Sequence, residues 1–405
     1  MERFIGILGL IILLGAAVGL SNNRRKINWQ LVFYGLALQL FFALFILKTP
    51  IGKPFFEAID QLIRKLLSFS DAGSDFLFKS FSSGVVEGPL LNFAFRVLPT
   101  IIFFSSLMAI LYHLGIMQFI VKWIAKAMQK TMKTSGSETL SVSANIFVGQ
   151  TEAPLIVRPF ISGMTKSELM AVMTGGFATI AGGVMAMYVK ILSDIPGIAG
   201  HLMAASIMSA PAAMVVAKII YPETEVPDTM GDLKIEVKKT EDNVMEALSR
   251  GATDGLKLAA NVGAMLIAFV AMIAMVNAIL SLVDLSLQQI LGWIFSPLAW
   301  TMGVPWAEAG TLGTLMGEKL VLTELIAYGD LAHLREIAGI SDRSAIIASY
   351  ALCGFANFAS IGIQLGGIGG IAPNRRKDLA KLAMKAMFGG AIASWLTATI
   401  AGILI

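Results

Sequence analysis

Residues 145–160 read NIFVGQTEAPLIVRPF, and the fold turns on what such a stretch does inside an otherwise apolar chain. Gly149 and Pro154 interrupt it, and Glu152 sits at its centre beside Gln150 and Thr151. An ionisable group at the bilayer centre costs roughly 2.5–3.5 kcal/mol and marks a functional site by default. Irregular backbone at that depth is tolerated only where protein buries it or an aqueous cavity lies against it. The stretch therefore predicts paired half-helices that enter a membrane and leave on the side they came from.

The surroundings support that setting. Of 405 residues, 56% are hydrophobic and only 14% charged, against about 25% charged in ordinary globular domains, which excludes a soluble fold. Apolar runs near 4–20, 29–47, 97–117, 168–191, 197–220, 256–282, 344–366 and 379–405 predict eight membrane-crossing helices, each long enough for a ~30 Å hydrocarbon layer. Barrel strands would read instead as short alternating segments. The run at 4–20 is followed by its positive charge (Arg24, Arg25, Lys26), so it reads as a span and not as a signal peptide.

Three basic clusters test the path: Arg24 to Lys26, Lys122 to Lys133, and Arg375 to Lys377. With the amino terminus outside, all three fall on the cytoplasmic side, and eight crossings return the carboxyl terminus to the outside. Residues 221–250 are the one long polar stretch and read as a cytoplasmic linker. FFEAIDQLIRKLL at 55–67 is apolar on one helical face and charged on the other, so 51–79 predicts an interfacial helix lying against membrane lipid. The single Cys353 excludes an intrachain disulfide, and His113, His201 and His333 are too dispersed in sequence to suggest a metal cluster. The net charge of +4 comes from basic residues flanking apolar spans, so no nucleic-acid partner is expected.

A second broken stretch, 286–335, carries Thr323-Glu324 as the first, 119–165, carries Thr151-Glu152. GFAT at 176–179 follows the first and GFAN at 354–357 follows the second. On the path above, one hairpin enters from the cytoplasm and the other from outside, so the copies are inverted. Inverted repeats with discontinuous helices are the architecture of many secondary transporters, which bind their solute at the repeat junction. The expected organisation is a scaffold over 1–95, a first repeat over 96–220, the linker over 221–250 and a second repeat over 251–405.

Glu152 and Glu324 are the candidate binding acids, with Arg158 and Lys319 as possible structural partners. Gln150, Thr151 and Glu152 offer amide, hydroxyl and carboxylate in one turn, while Asn357 and Ser360, three apart, share a helix face. That set suits a neutral, hydroxyl-rich solute, because a carboxylate can accept from two vicinal hydroxyls. A phosphate site would call for clustered Arg or Lys. Phe355 offers an apolar wall or plain packing. GGIGGIA at 366–372 follows a membrane helix and not a strand, so it is no dinucleotide fingerprint.

GQTEAPL from Gly149, MGVPWAEA from Met302, KLVLTELIAY from Lys319 and GFANFASIGI from Gly354 together resemble the bacterial concentrative nucleoside transporters, as does the closing APNRRKDLAKLAMKAMFGGA from Ala372. The resemblance runs the length of the chain. It implies an all-α polytopic membrane protein with eight transmembrane helices, two re-entrant helical hairpins and an interfacial helix, assembled as a homotrimer. It further implies nucleoside-binding roles for Gln150, Thr151, Glu152 and Val184 near the base, and for Glu324, Asn357 and Ser360 at the ribose with Phe355 beside them. Na+ would be coordinated by Asn145, Val148, Thr179 and Ile180, and the presence of Asn145 favours sodium over proton coupling. Helix capping and back-bonding are the structural alternatives at Asn145 and Thr179.

Two residues depart from the resemblance. Thr323 stands where asparagine is usual, which shortens a polar arm near the ribose, and Glu318 is unexpected beside Lys319. The expectation is therefore sodium-driven nucleoside import by alternating access. A proton-coupled symporter, a membrane enzyme acting on a nucleoside or lipid derivative, and a passive channel are the readings it competes with. The enzyme would need a Ser/His/Asp set or a metal site that the motifs do not supply.

Overall fold

The computed structural model describes residues 2–52, 54–65, 98–230 and 241–405, and among these there are helices and no strands. In chain order they are α1 (Glu2–Gly19), α2 (Trp29–Lys48), α3 (54–65), α4 (Leu98–His113), α5 (Ile116–Met132), α6 (Gly136–Ala144), α7 (Ala153–Ile156), α8 (Arg158–Ile161), α9 (Lys166–Ala178), α10 (Gly182–Ile191), α11 (Ile198–Ile220), α12 (Val244–Leu280), α13 (Leu287–Thr301), α14 (Trp306–Val321), α15 (Glu324–Glu336), α16 (Asp342–Leu352), α17 (Phe358–Ile371) and α18 (Arg376–Leu404). Four described segments, Trp29–Lys48, Lys166–Ile191, Ile198–Ile220 and Pro373–Leu404, are each long and apolar enough to cross a membrane.

α9, α11 and α18 pack against one another at the centre. Their contact faces are rich in Ala, Gly, Ser and Thr, which let helix backbones approach closely where lipid offers no hydrophobic drive to association. Large apolar side chains point the other way at the periphery: Trp29, Phe33 and Phe41 on α2, and Phe119 and Trp123 on α5, are exposed.

The element order repeats. A long helix (α4, α12) leads to an amphipathic one (α5, α13), then to paired helices around an acidic turn (α6 to α8, α14 and α15), a broken helix (α9 and α10, α16 and α17) and a closing helix (α11, α18). The two leading helices pack against each other.

Three expected spans take a different form. The run at 97–117 stops at His113, where Gly115 adopts φ of 80° and the chain bends by 76° into α5. The first broken stretch thus opens with a complete amphipathic helix that buries Met117, Val121, Ala125, Met128 and Met132. The run at 168–191 is two helices, because Thr179 is extended and the helix restarts only at Gly182. The run at 344–366 is likewise split at 353–357 by Gly354, whose φ of 112° an L side chain resists.

Of the expected interfacial helix, residues 54–65 are helical, and 66–79 lie outside the described residues. Phe56 is buried while Phe55 and Leu62 are exposed. Asp60 Oδ1 accepts from the Ala199 N–H at 3.2 Å, which seats α3 on the first turn of α11.

Candidate functional site

α17 organises the site. Asn357 caps its amino terminus, with Oδ1 accepting from the Ser360 N–H at 2.8 Å, and this leaves Nδ2 free to donate to Glu324 Oε2, also at 2.8 Å. The other carboxylate oxygen, Oε1, accepts from Tyr188 Oη at 2.7 Å. Glu324 is 5% exposed and Asn357 2%, so the cluster is nearly dry. Burying a carboxylate is costly unless donors satisfy it, and both oxygens here have one.

Lys319 does not take that role. Its ammonium is fully buried and donates to the carbonyls of Ala351 at 2.9 Å and Cys353 at 3.1 Å. These are carbonyls at the end of α16, which the helix break leaves without an intrahelical donor. Lys319 therefore stabilises the break. Thr323, which departs from the asparagine expected there, caps α15 by accepting from the Ile326 N–H at 3.5 Å.

The first hairpin meets the same helix further along. Gln364, fully buried, donates through Nε2 to Gln150 Oε1 at 3.0 Å. Thr151 lies against Gly367, where a Cβ would come within 2.8 Å of its Cγ2. Residues 357, 360, 364 and 367 recur at helical spacing and so lie on one side of α17. From Asn357 to Gln364 is seven residues, about 10 Å of rise at 1.5 Å each. Glu324 thus sits at the first turn of α17, and the tip of the first hairpin about two turns on.

The remaining acid behaves differently. Glu152 is exposed at the start of α7 and folds back over Gly149, where a Cβ would lie 2.1 Å from Oε2. Arg158 is exposed on α8, and among the described residues it forms no ion pair with Glu152. Val184 is buried one turn before Tyr188 on α10, and Phe355 is half-buried in the break before α17.

The two segments that carry the residues expected around an ion lie side by side. The Gly182 N–H donates to the Phe147 carbonyl at 3.0 Å, which lays residues 145–148 beside 179–182. Asn145 Nδ2 donates to the Ser141 carbonyl at 3.2 Å, and Thr179 Oγ1 donates to the Gly175 carbonyl at 3.0 Å. Both structural roles anticipated for these side chains are thus present. They leave Asn145 Oδ1 buried without a donor among the described residues.

Tyr188 and Gln364 escaped the sequence reading. Each is a polar side chain one turn beyond a residue already singled out, Val184 and Ser360, and that spacing was the available signal.

Comparison with known proteins gives this geometry its relatives. Residues 201–402 match the family described as Na+ dependent nucleoside transporter C-terminus, and 8–81 match its N-terminus counterpart. Residues 94–195 match a domain described as nucleoside recognition. An uncharacterized transporter of Haemophilus influenzae is 46% identical, with 100% of this chain and 98% of that protein aligned. The sodium/nucleoside cotransporter 1 of Mus musculus is 41% identical over all of this chain and 64% of its own length. Among solved structures, CNTnw in an inward-facing substrate-bound state superposes with a TM-score of 0.91 at 43% identity, covering 100% of this chain and 98% of that one. An outward-facing CNTnw variant superposes at 0.90, with 42% identity and 98% of its own chain covered. The chain belongs to the concentrative nucleoside transporter family, whose members are membrane transporters and not enzymes.

Proposed function

We propose that the chain imports nucleosides such as uridine across the inner membrane, driven by the sodium gradient, by alternating access. The observation that carries this reading is the common side of α17, on which Glu324 with Asn357 and Ser360 lies about two turns from Gln150 and Thr151. A sugar held by the first group would place its attached base toward the second. Glu324, Asn357 and Ser360 are the proposed ribose contacts, with Phe355 beside them; Gln150, Thr151, Glu152 and Val184 are the proposed base contacts. That relatives are solved in both inward-facing and outward-facing states supports alternating access.

Sodium is the proposed co-transported ion. Its ligands would be Asn145 Oδ1, the Thr179 hydroxyl and the main-chain carbonyls of Val148 and Ile180, an all-oxygen set of the kind hard cations prefer. The unpartnered Asn145 Oδ1 fits that assignment. Binding there would tie the first hairpin to the break between α9 and α10, so sodium and nucleoside should raise each other's affinity by the same factor. The remaining parts of the reading are eight spans with both termini outside, inverted hairpins, a cytoplasmic linker and assembly as a homotrimer.

The test is uptake of labelled nucleosides into proteoliposomes with and without an imposed sodium gradient. Accumulation above the external concentration is expected only with inward-directed sodium. Equilibration without accumulation would mean a channel, and accumulation on a proton gradient alone would overturn sodium coupling. Tyr188→Phe removes one donor from Glu324 and is expected to raise the KM for uridine about 10- to 100-fold, the size of a lost hydrogen bond to a charged group. An unchanged KM would separate Tyr188 from the binding site.

A further inference from the structure

Gln364 touches two acceptors of different kinds. Besides Gln150 Oε1, its Nε2 donates to the Met173 main-chain carbonyl on α9 at 3.0 Å. A main-chain carbonyl can only accept, so the Gln364 atom facing it must be the nitrogen, and this fixes the orientation of the amide. The second hydrogen of that nitrogen points at Gln150, which must therefore turn its own oxygen inward. Gln150 is left with its NH2 group on the far side.

Two further observations agree. Gln364 is fully buried and its Oε1 has no donor among the described residues, so no competing partner pulls the amide the other way. Gly176 on α9 leaves the room this contact needs, since a Cβ there would stand 2.7 Å from Gln364 Nε2 and 2.9 Å from Gln150 Cβ.

We propose that Gln364 is a positioning residue that locks the Gln150 amide with its N–H groups toward the solute, so that the site selects a nucleobase edge carrying a hydrogen-bond acceptor there. The inference rests on the base-contacting role proposed for Gln150. It adds a direction to that contact: Gln364 donates to both the Met173 carbonyl and Gln150 Oε1, and Gln150 in turn donates to the base. A glutamine free to turn could serve an acceptor or a donor on the base equally well. Held as it is, it serves only the acceptor.

Uridine and cytidine provide the probe, because they differ by exchange of a carbonyl for an amino group and of a ring N–H for a bare nitrogen. The KM for each is measured in proteoliposomes for the unaltered protein, for Gln364→Met, which keeps the volume but frees the Gln150 amide, and for Gln364→Asn, which keeps the amide but withdraws it. The ratio of the two KM values is expected to move toward one by about 3- to 10-fold in both variants, as loss of one hydrogen-bond preference implies. In a Gln150→Ala background, the same substitutions should leave the ratio where Gln150→Ala alone puts it.

A parallel rise in both KM values with a fixed ratio overturns the proposal and makes Gln364 a packing residue. A ratio that still shifts in the Gln150→Ala background also overturns it. If Gln364→Met does not yield folded protein, Gln364→Asn carries the test. Absence of nucleoside uptake by the unaltered protein would instead defeat the transport reading itself.

Discussion

Replacing Glu324 with glutamine is expected to lower kcat/KM for nucleoside uptake by at least about 30-fold, and up to several thousand-fold. The carboxylate accepts from Tyr188 Oη at 2.7 Å and Asn357 Nδ2 at 2.8 Å, so each oxygen meets a donor. Glutamine keeps the shape but offers only one oxygen. Turned one way its NH2 meets the Asn357 amide, donor against donor; turned the other, the Tyr188 hydroxyl must give up donating. The negative charge is lost as well. Disrupting one member of a buried, hydrogen-bonded charge group typically costs 2–5 kcal/mol or more, which sets the range. The measurement is initial-rate uptake alongside thermal unfolding in detergent. Uptake within 10-fold of the unaltered protein, with the fold intact, would remove Glu324 from the binding site.

Lys218→Met is expected to destabilise the protein by roughly 3–5 kcal/mol, the usual cost of removing one partner from a buried ion pair. Lys218 ends α11 with its side chain 4% exposed and lies 2.6 Å from Glu138, itself 1% exposed. It also donates to Ser167 Oγ at 2.8 Å and lies 3.5 Å from Glu223. Glu138 and Glu168 close capping boxes on α6 and α9, and Ser135 Oγ on one cap donates to Glu168 Oε1 on the other at 2.5 Å. One lysine thus ties together the bases of the hairpin, the broken helix and the start of the linker. A cavity of about 90 Å³ bounded by Ser137, Glu168, Asp228 and Thr229 adjoins this network and touches none of the residues around Glu324. The unfolding midpoint in detergent should fall sharply for Lys218→Met, and adding Glu138→Gln should restore at least half of the loss. No restoration would mean that the lysine acts through something other than this pair.

The sequence carried the architecture better than its interruptions. The uninterrupted apolar runs at 29–47 and 197–220 correspond closely to Trp29–Lys48 and Ile198–Ile220, because length and hydropathy alone decide such helices. The breaks inside 168–191 and 344–366 were hidden, since the Gly and Ala of GFAT and GFAN are as compatible with close helix packing as with a turn. Beyond Gly354 itself, what stabilises them lies elsewhere in the chain: the Lys319 ammonium that gathers the carbonyls of Ala351 and Cys353, and the hairpin carbonyl that receives the Gly182 N–H.

The acids were legible because an ionisable residue among apolar ones stands out on composition. Their partners were not. Tyr188 reaches Glu324 across 136 positions and Gln364 reaches Gln150 across 214, and no local pattern encodes such a pairing.

Because Asn357 and Gln364 lie seven residues apart on one helix, each meeting a different hairpin, the distance between the two anchor points is counted in whole residues. Deleting or inserting a single residue between them would rotate the far end by about 100° and shift it by 1.5 Å. Gln364 would then face lipid or protein where Gln150 does not reach. Sequence drift through this segment can exchange side chains but cannot change its length, so gaps should gather in the loops that join the helices and not here.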